Sequence, residues 1–270
     1  MNWKTLLIAA GTVIGYLCTG CNGSGGEASP EKTEKVYTIR VLTYNIFHGE
    51  TSTGMIDMDL FADIIKSESP DIVALQEVDK GASRSGRLDI TAELASRTGL
   101  TGYFGSFRPF QGGEYGAAIL SAYPVHDFRT IPTISDNIAL LFARIEIDKD
   151  VYIHFNSSHL STDLAENANQ VQQLTDYYLE ALASEPLLIC GDLNAEATDD
   201  QMQPLWAHFS ESDTGMGFTF STRTGMRKKI DFLLHPKTAA WEVVSTKRIC
   251  NAKASDHCAV LAVLNYKVTQ

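Results

Sequence analysis

Asp192 and Asn194 are the residues whose types and spacing best suit chemistry in this sequence. They follow residues 187–190, an uninterrupted apolar run whose length fits a strand buried on both faces. Side chains two residues apart in an extended chain point to the same side, so the carboxylate and the carboxamide lie together. Such a pair can orient a water molecule and take a proton from it. The same residues also fit an Asx turn that closes a strand, and at this point both interpretations stay open.

Other polar residues stand where further predicted strands end or begin, and packing alone does not require them there. These residues are Asn45, Glu77, His159, Asp231, Asp256 and His257. Taken singly, each has an ordinary interpretation as a turn residue, a surface acid or a cap. Taken together, they supply hard oxygen ligands beside two imidazoles, and this combination suits Mg²⁺ or Mn²⁺ acting on a phosphate ester.

The elements that must position these residues are short strands and amphipathic helices. Strands are predicted over residues 36–45, 71–75, 101–107, 115–121, 125–131, 138–147, 151–158, 187–190, 230–235, 241–249 and 258–266. Helices are predicted over residues 57–67, 88–98, 164–183 and 201–209, with Gly99 capping the second. Two groups of apolar strands with helices around them predict an α/β fold in which two packed sheets are covered on their outer faces.

Five short motifs occur in a fixed order along the chain. They are T-Y-N-I (43–46), L-Q-E-V (75–78), G-D-L-N (191–194), K-I-D-F (229–232) and S-D-H (255–257). In this order the motifs resemble the endonuclease/exonuclease/phosphatase superfamily, which includes DNase I-like nucleases, sphingomyelinases and inositol polyphosphate phosphatases. The resemblance implies a four-layer α/β/β/α sandwich over residues 36–268, with the active site at one edge of the paired sheets.

The resemblance assigns the metal and the attacking water to the acidic side of this set. Glu77 is expected to be the principal ligand of Mg²⁺ or Mn²⁺, with Asn45 and Asp256 completing or supporting the site. Asp192 is expected to orient or deprotonate the water, and Asn194 to hold that water or the phosphate. A cation that neutralises the phosphoryl oxygens while a base readies water for in-line attack requires no covalent enzyme intermediate.

The resemblance assigns the phosphate to the histidines. His257 is expected to bind the phosphate and stabilise its developing charge, with Asp231 fixing the tautomer of the ring and raising its basicity. His159 is expected to contact the phosphate or assist the leaving oxygen.

Several residues outside the motifs are candidates for a second anchoring point on the substrate. They are Arg84, Arg87, Arg108 and Tyr115, and arginine binds phosphate in a bidentate manner. Solvated surface arginines are the alternative interpretation. Many relatives have Asn where Ala117 stands, and nucleases of the family often have an Arg near residues 136–138, where this chain has none. These departures weaken the transfer of nuclease phosphate contacts to this chain.

Composition narrows the class of substrate. The chain has 270 residues and a formal net charge of −11, which disfavours avid non-specific binding to nucleic acid without excluding a small phosphate bound through a cation. Together with the resemblance, this charge makes hydrolysis of small or lipid-linked phosphate esters the expected activity. The protein is expected to be a monomer. An extracytoplasmic nuclease is the alternative, and a lipid-anchored binding module without catalysis is a third interpretation.

The N-terminus predicts export and lipidation. Lys4 precedes an apolar run at residues 6–17, and the sequence L-C-T-G-C (17–21) resembles a bacterial lipobox. Residues 1–20 are therefore expected to be a signal peptide, Cys21 the lipidated residue, and residues 21–35 a flexible tether to the membrane of the cell envelope. An ordinary secretory signal is the alternative. Three cysteines remain, an odd number that predicts no complete disulfide framework, and Cys190 and Cys258 are interpreted as packing residues in strands.

Overall fold

Two six-stranded mixed sheets form the centre of the fold. The computed structural model describes residues 33–133, 137–182, 186–213, 215–222, 224–238 and 240–269. The predicted signal peptide, Cys21 and most of the predicted tether lie outside the described residues. In chain order the strands of the described residues are β1 (Glu34–Asn45), β2 (Ile72–Lys80), β3 (Thr101–Phe110), β4 (Gly113–Ser121), β5 (Val125–Pro132), β6 (Ala139–Asp148), β7 (Val151–His159), β8 (Leu187–Asp192), β9 (Phe209–Glu211), β10 (Phe220–Ser221), β11 (Arg227–Lys228), β12 (Asp231–Pro236), β13 (Trp241–Ile249) and β14 (Ala259–Thr269).

Helices cover the outer face of each sheet. They are α1 (Met58–Glu68), α2 (Ile90–Thr98), α3 (Leu164–Tyr177) and α4 (Gln203–His208). The first three begin at aspartates whose carboxylates accept backbone N–H groups of the first turn, which satisfies donors that the helix leaves unpaired. Gly99 ends α2 with φ of +77°, so the predicted C-cap is confirmed. The third helix stops earlier than predicted, because the chain continues as a π-helical turn at Tyr178–Leu182.

The four layers are held by three apolar clusters. One lies between the sheets and includes Val41, Ile119, Phe155 and Leu188. A second packs the first sheet against α1 and α2, and a third packs the second sheet against α3 and α4. Each sheet is therefore apolar on both faces, which explains the unbroken apolar runs of its central strands. The predicted α/β/β/α sandwich is confirmed.

Strand order and register bring the candidate residues to one edge. The first sheet runs β13-β14-β1-β2-β4-β3 and the second runs β5-β6-β7-β8-β12-β9, while β10 and β11 form a separate ribbon. In the first sheet, β1 pairs in parallel with β2, and Asn45 lies opposite Gln76. In the second, His159 lies opposite Asp192 through the parallel pairing of β7 with β8. Asp192 also lies opposite Asp231 through the antiparallel pairing of β8 with β12.

The cysteines differ from the prediction at one position. Cys190 is free and buried in the core between the sheets, as predicted. Cys258 is not a packing residue, because it forms a disulfide with Cys250. An odd count of three cysteines does not exclude a disulfide, because two of them can pair while the third, Cys190, stays a free thiol. No helix in the described part of the chain has the length and apolar character of a membrane span.

Candidate active site

Asn45 links the two sheets at the edge where the site forms. Its side chain is fully buried, and its Nδ2 donates to Glu77 Oε1 at 3.0 Å and to Asp192 Oδ2 at 3.1 Å. Its Oδ1 accepts the backbone N–H of Phe47 at 3.1 Å, which fixes the orientation of the amide. The Asn45 carboxamide therefore fixes the positions of Glu77, from the first sheet, and Asp192, from the second, relative to each other.

Glu77 reaches this edge because its strand is interrupted. The pairing of β2 with β4 shifts register between Leu75 and Val78, and Glu77 has φ of +54°. A left-handed backbone is unfavourable for glutamate, and a bulge of this kind redirects one side chain out of the regular alternation. The Glu77 side chain therefore points toward Asn45 and stays partly exposed. Its direction is set by the bulge and does not follow from the regular alternation of side chains along a strand.

Asp192 lies buried among the catalytic candidates. Its Oδ1 accepts the backbone N–H of Asn194 at 3.0 Å, and its Oδ2 lies 3.7 Å from His159 Nε2 and 3.6 Å from His257 Nε2. Both distances exceed a hydrogen bond, so two imidazoles face the carboxylate without binding it directly. Burial, and secondarily the charge of Asp231, raises the pKa of Asp192 to about 6.

His257 forms a buried pair with Asp231. Its Nδ1 lies 2.9 Å and 3.1 Å from the two carboxylate oxygens of Asp231, which is fully buried. This contact places a proton on Nδ1 and directs Nε2 toward Asp192. Burial alone would lower the pKa of His257, but the charges of Asp231 and Asp192 more than offset it and raise the pKa to about 10. The ring is therefore a cation at neutral pH.

Two hydroxyl groups hold this pair in place. Ser255 Oγ donates to the carbonyl of Asn45 at 2.8 Å and accepts the backbone N–H of His257 at 3.1 Å. Thr219 Oγ1, fully buried, accepts the backbone N–H groups of Ile230 and Asp231 at 3.1 and 3.0 Å. Thr219 is not among the predicted site residues, because it lies in a loop outside every motif and its role depends on contacts with residues about a dozen positions away.

Asn194 lies beside Asp192, as predicted, with its backbone in the left-handed region at φ of +50°. Its Nδ2 donates to the carbonyl of Leu160 at 2.8 Å, so the amide is held by the segment that follows His159. This contact fixes the position of the carboxamide at the end of β8. The Asx-turn interpretation is thus also correct locally, because Asp192 accepts the backbone N–H two residues on.

The donor set at this edge fits a divalent cation. Partial burial raises the pKa of the Asp256 carboxyl, the His257 cation opposes this, and the nearby charge of Glu77 contributes to the rise. Two carboxylates that repel each other are hard oxygen ligands of the kind that Mg²⁺ and Mn²⁺ prefer, and the Asn45 amide orients one of them through the hydrogen bond from its Nδ2 to Glu77. A second grouping also exists, because ligand atoms of Asp192, Asp231 and His257 all lie within 4.8 Å of one another. In that grouping, however, both oxygens of Asp231 already contact the imidazole.

Tyr115 extends the site toward the first sheet. Its hydroxyl lies 3.1 Å from His159 Nδ1. Burial, and secondarily the charge of Glu77, raises the pKa of Tyr115, so the phenol stays protonated. When the phenol donates to Nδ1, the ring proton lies on Nε2, which faces Asp192. Tyr115 is therefore placed to fix the tautomer of His159.

The three candidate arginines behave differently from one another. Arg84 donates two hydrogen bonds to buried Asp79, at 2.8 and 2.9 Å, and lies over the rings of Phe110 and Tyr115. Arg108 also lies over these two rings, and its Nε is buried without a hydrogen-bond partner among the described residues.

Arg87 is exposed, and its guanidinium lies next to Gly112 in the β3–β4 turn. Arg108 thus has an N–H donor available for a ligand. Arg84 uses two of its donors on Asp79. Arg87 lies beside the β3–β4 turn, away from Asp192 and the two histidines.

Comparison with known proteins identifies the family and the fold of the chain. Residues 42–257 match the model of the Endonuclease/Exonuclease/phosphatase family, a family of hydrolytic nucleases and phosphatases that generally depend on divalent metals. No curated protein matches the sequence.

The fold is similar to that of an endonuclease/exonuclease/phosphatase from Beutenbergia cavernae DSM 12333, with 22% identity, 85% of this chain and 72% of that chain covered, and a TM-score of 0.71. It is also similar to one from Bacteroides vulgatus, with 19% identity, 84% and 98% covered, and a TM-score of 0.70. The human Nocturnin catalytic domain with bound sulfate matches at 18% identity, with 88% and 98% covered and a TM-score of 0.65. From the family model and the shared fold, the chain belongs to the endonuclease/exonuclease/phosphatase family.

Proposed function

We propose that this protein is a divalent-metal-dependent phosphoesterase that hydrolyses small or lipid-linked phosphate esters. The observation that carries the proposal is the environment of Asp192. This buried carboxylate receives a hydrogen bond from Asn45, which also binds Glu77, and two imidazole Nε2 atoms face it at 3.6 and 3.7 Å. A base, two proton-bearing rings and a cluster of hard ligands are the groups that water attack on a phosphate ester requires.

Asp192 acts as the base. With a pKa of about 6 its carboxylate is ionised at neutral pH, and its basicity is closer to neutrality than that of an ordinary aspartate. The water loses its proton to Asp192 as its oxygen bonds to phosphorus, while the ester oxygen on the opposite side departs. Asn194 and Asn45 hold the carboxylate in position from its two oxygens.

The histidines act on the phosphate. His257 is positively charged at neutral pH, so its Nε2 proton can stabilise the oxygens of the phosphoryl group as their charge grows. His159, oriented by Tyr115, is placed to donate a hydrogen bond from Nε2 to the departing oxygen. The developing charges are therefore met by groups that the fold holds rigidly.

Glu77 and Asp256 are the residues that would hold Mg²⁺ or Mn²⁺, and Asn45 would support the site by holding Glu77 through its Nδ2. A bound cation would neutralise charge on the phosphoryl oxygens as a Lewis acid. Arg108, with its donor free of described hydrogen-bond partners, would provide a second contact to an anionic substrate, beside Tyr115 and Arg84.

The N-terminal sequence supports a location outside the cytoplasm for this activity. We infer that Cys21 is lipidated and that the enzyme acts as a monomer outside the cytoplasm, anchored to a membrane of the cell envelope. Substrates at that location include lipid head groups and small phosphorylated metabolites. A labelled lipid precursor supplied to expressing cells should label the wild-type protein, and Cys21→Ala should abolish the label.

The function is tested with a substrate panel. Wild type and His257→Ala are assayed with Mg²⁺, Mn²⁺ or EDTA on bis-p-nitrophenyl phosphate, p-nitrophenyl phosphate, sphingomyelin and phosphoinositide head groups, and plasmid DNA. We expect metal-dependent turnover of small or lipid-linked esters that is lost in the variant. A preference for plasmid DNA would instead identify a nuclease, and metal binding without turnover of any ester would contradict catalysis.

A further inference from the structure

Helix α3 contributes a buried amide that contacts the two turns next to the catalytic residues, and this amide belongs to none of the five motifs. Asn167 is 1% exposed, and its Nδ2 donates to the carbonyl of Leu193 at 2.7 Å and to that of Ser161 at 2.9 Å. Leu193 directly follows Asp192, and Ser161 lies two residues after His159. One side chain of the helix therefore joins the turn after the base to the turn after the second histidine.

The two turns are also bonded to each other. The backbone N–H of Leu160 donates to the carbonyl of Asp192 at 3.0 Å, and Asn194 Nδ2 donates to the carbonyl of Leu160 at 2.8 Å. These bonds hold the turns together, and the two bonds from Asn167 hold both turns to the helix. The separation between His159 and Asp192 therefore depends on the whole set of contacts.

The hydrogen bonds of the Asn167 amide are directional. Both of its N–H groups are used, whereas its Oδ1 is buried and has no hydrogen-bond partner among the described residues. Turning the amide over would bring Oδ1 against two carbonyl oxygens, which is electrostatically unfavourable. A buried unpaired acceptor costs free energy, and asparagine is a weaker helix former than leucine, which has a similar size. What asparagine supplies here and leucine does not is a pair of donors for the two turns.

Gln170 holds the first of these turns from the same face of the helix. Its side chain is 1% exposed, and its Oε1 accepts the backbone N–H of Ser161 at 2.7 Å. Ser161 thus gives its N–H to Gln170 and its carbonyl to Asn167, so the turn cannot shift along the helix without breaking a hydrogen bond. Leu160 and Leu193 also pack in the apolar cluster under this helix, but apolar contact has no preferred direction and does not orient a carbonyl.

We propose that Asn167 is a positioning residue for the reaction: supported by Gln170, it sets the distance between His159 and Asp192. This role rests on the function proposed above. A displacement of about 1 Å in a reacting group can cost about a hundredfold in rate, so a bond that fixes the base and the second histidine acts on turnover. In the described part of the chain, Glu77 and His257 make no hydrogen bond with Asn167, so binding of the metal should not depend on it.

Asn167→Leu removes both donors while keeping the size of the side chain and favouring the helix. With bis-p-nitrophenyl phosphate and saturating Mg²⁺, we expect kcat to fall by about ten- to a hundredfold, and KM and the Mg²⁺ affinity to stay within about threefold. Asn169→Leu, the same substitution at an exposed position of α3, is the matched control and should keep the wild-type kcat. Thr175→Val removes a buried hydroxyl that donates to the carbonyl of Val171 within the helix, at 2.9 Å, and should also keep it.

A kcat within about twofold of wild type in Asn167→Leu would overturn the proposal. So would an equal loss in Thr175→Val, which would trace the effect to the helix and not to the turns, or a loss confined to KM. If Asn167→Leu does not fold in urea titrations, Gln170→Met takes its place, because it removes the acceptor of the Ser161 N–H. That variant should lose kcat several-fold with KM little changed, and an unchanged kcat would then overturn the proposal.

The ring signals of His159 give a measurement that does not require turnover. In ¹H–¹⁵N spectra, assigned with His159→Gln, the ring nitrogens report protonation and hydrogen bonding. Asn167→Leu should shift these signals and Asn169→Leu should not, and unchanged signals in Asn167→Leu would overturn the proposal. A protein that shows the shift but hydrolyses no ester keeps the assignment of Asn167 and loses the proposed function. A protein that hydrolyses the ester equally fast in wild type and Asn167→Leu keeps the proposed function and loses only the assignment.

Discussion

Replacing Asp231 by Asn gives a sharp test of how the site controls its protons. Asp231 is fully buried and contacts His257 Nδ1 with both oxygens, at 2.9 and 3.1 Å. Asn has the same shape and can still accept a hydrogen bond from Nδ1, but it carries no charge. The substitution therefore changes the electrostatics of His257 and Asp192 with little change in packing.

The magnitude follows from the pKa of the imidazole. A rise from 6.5 to about 10 corresponds to about 5 kcal/mol of preference for the charged ring. The charge of Asp231 is the largest contribution that raises the pKa of His257. Burial, which lowers this pKa, is unchanged when the charge is removed. We therefore expect the pKa of His257 to fall, with each pH unit of the fall corresponding to about 1.4 kcal/mol. A fall of about two pH units would lower the protonated fraction at pH 9 from about nine-tenths to about one-tenth, a loss of about tenfold.

The two limbs of the pH profile should shift in the same direction. Activity requires ionised Asp192 and protonated His257, so the wild-type rate should rise through a limb at or below about pH 6 and fall near pH 10. A bound cation favours the carboxylate and can only move the acid limb lower. Removing the charge of Asp231 lowers both pKa values, because that charge raises each of them. Relative to wild type, the variant should therefore be most impaired at the alkaline end of the profile and least impaired at its acid end.

The assay is kcat/KM for bis-p-nitrophenyl phosphate between pH 5 and 10, with saturating Mg²⁺. Asp176→Asn removes the same charge at an exposed position on α3 and is the matched control, whose profile should follow wild type. An alkaline limb that stays at the same pH in Asp231→Asn would refute the assignment of His257 as the charged phosphate ligand.

Three further predictions concern the metal, the second histidine and the disulfide. Glu77→Gln should weaken Mg²⁺ binding at least tenfold by calorimetry, whereas Asp192→Ala should keep metal affinity and lose turnover. If Asp192→Ala weakened Mg²⁺ binding and Glu77→Gln did not, the cation would lie at the group of Asp192, Asp231 and His257. Tyr115→Phe should lower kcat by about tenfold with KM little changed, because His159 loses the partner that fixes its tautomer, and an unchanged kcat would contradict this role. Cys250→Ser with Cys258→Ser should lower the free energy of unfolding by about 2–3 kcal/mol in urea titrations, as expected for so short a loop, and an unchanged midpoint would contradict a stabilising disulfide.

The positions of the site residues that lie at the ends of strands could be predicted from the sequence. Asn45, His159 and Asp192 each end a strand, and parallel pairing brings the carboxyl ends of such strands to the same edge. Asp231 begins an antiparallel strand, so it arrives at the same edge from the opposite direction. Apolar periodicity and strand order therefore account for four of the catalytic and metal-binding candidates without any knowledge of side-chain contacts.

Features that depend on local irregularity or long-range contacts were not predictable in the same way. Glu77 is directed by a bulge, and a one-residue change of register is not visible in an apolar pattern. The pairing of Arg84 with Asp79 commits two of its donors to the protein, and this pair was not predictable, because it joins strand β2 to the turn after it and follows no helical or strand spacing. The pairing of Cys250 with Cys258 depends on the turn between them, and cysteine counts alone carry no information about it.

The most direct test of the central claim is the rate of bis-p-nitrophenyl phosphate hydrolysis by wild type and Asp192→Asn, each with Mg²⁺ or with EDTA. The variant keeps the shape of the side chain and the hydrogen-bonding oxygen but loses the base. We predict that EDTA abolishes wild-type turnover and that Asp192→Asn loses at least about a hundredfold with Mg²⁺ present. Turnover that survives EDTA, or a variant as fast as wild type, would contradict metal-dependent hydrolysis with Asp192 as its base.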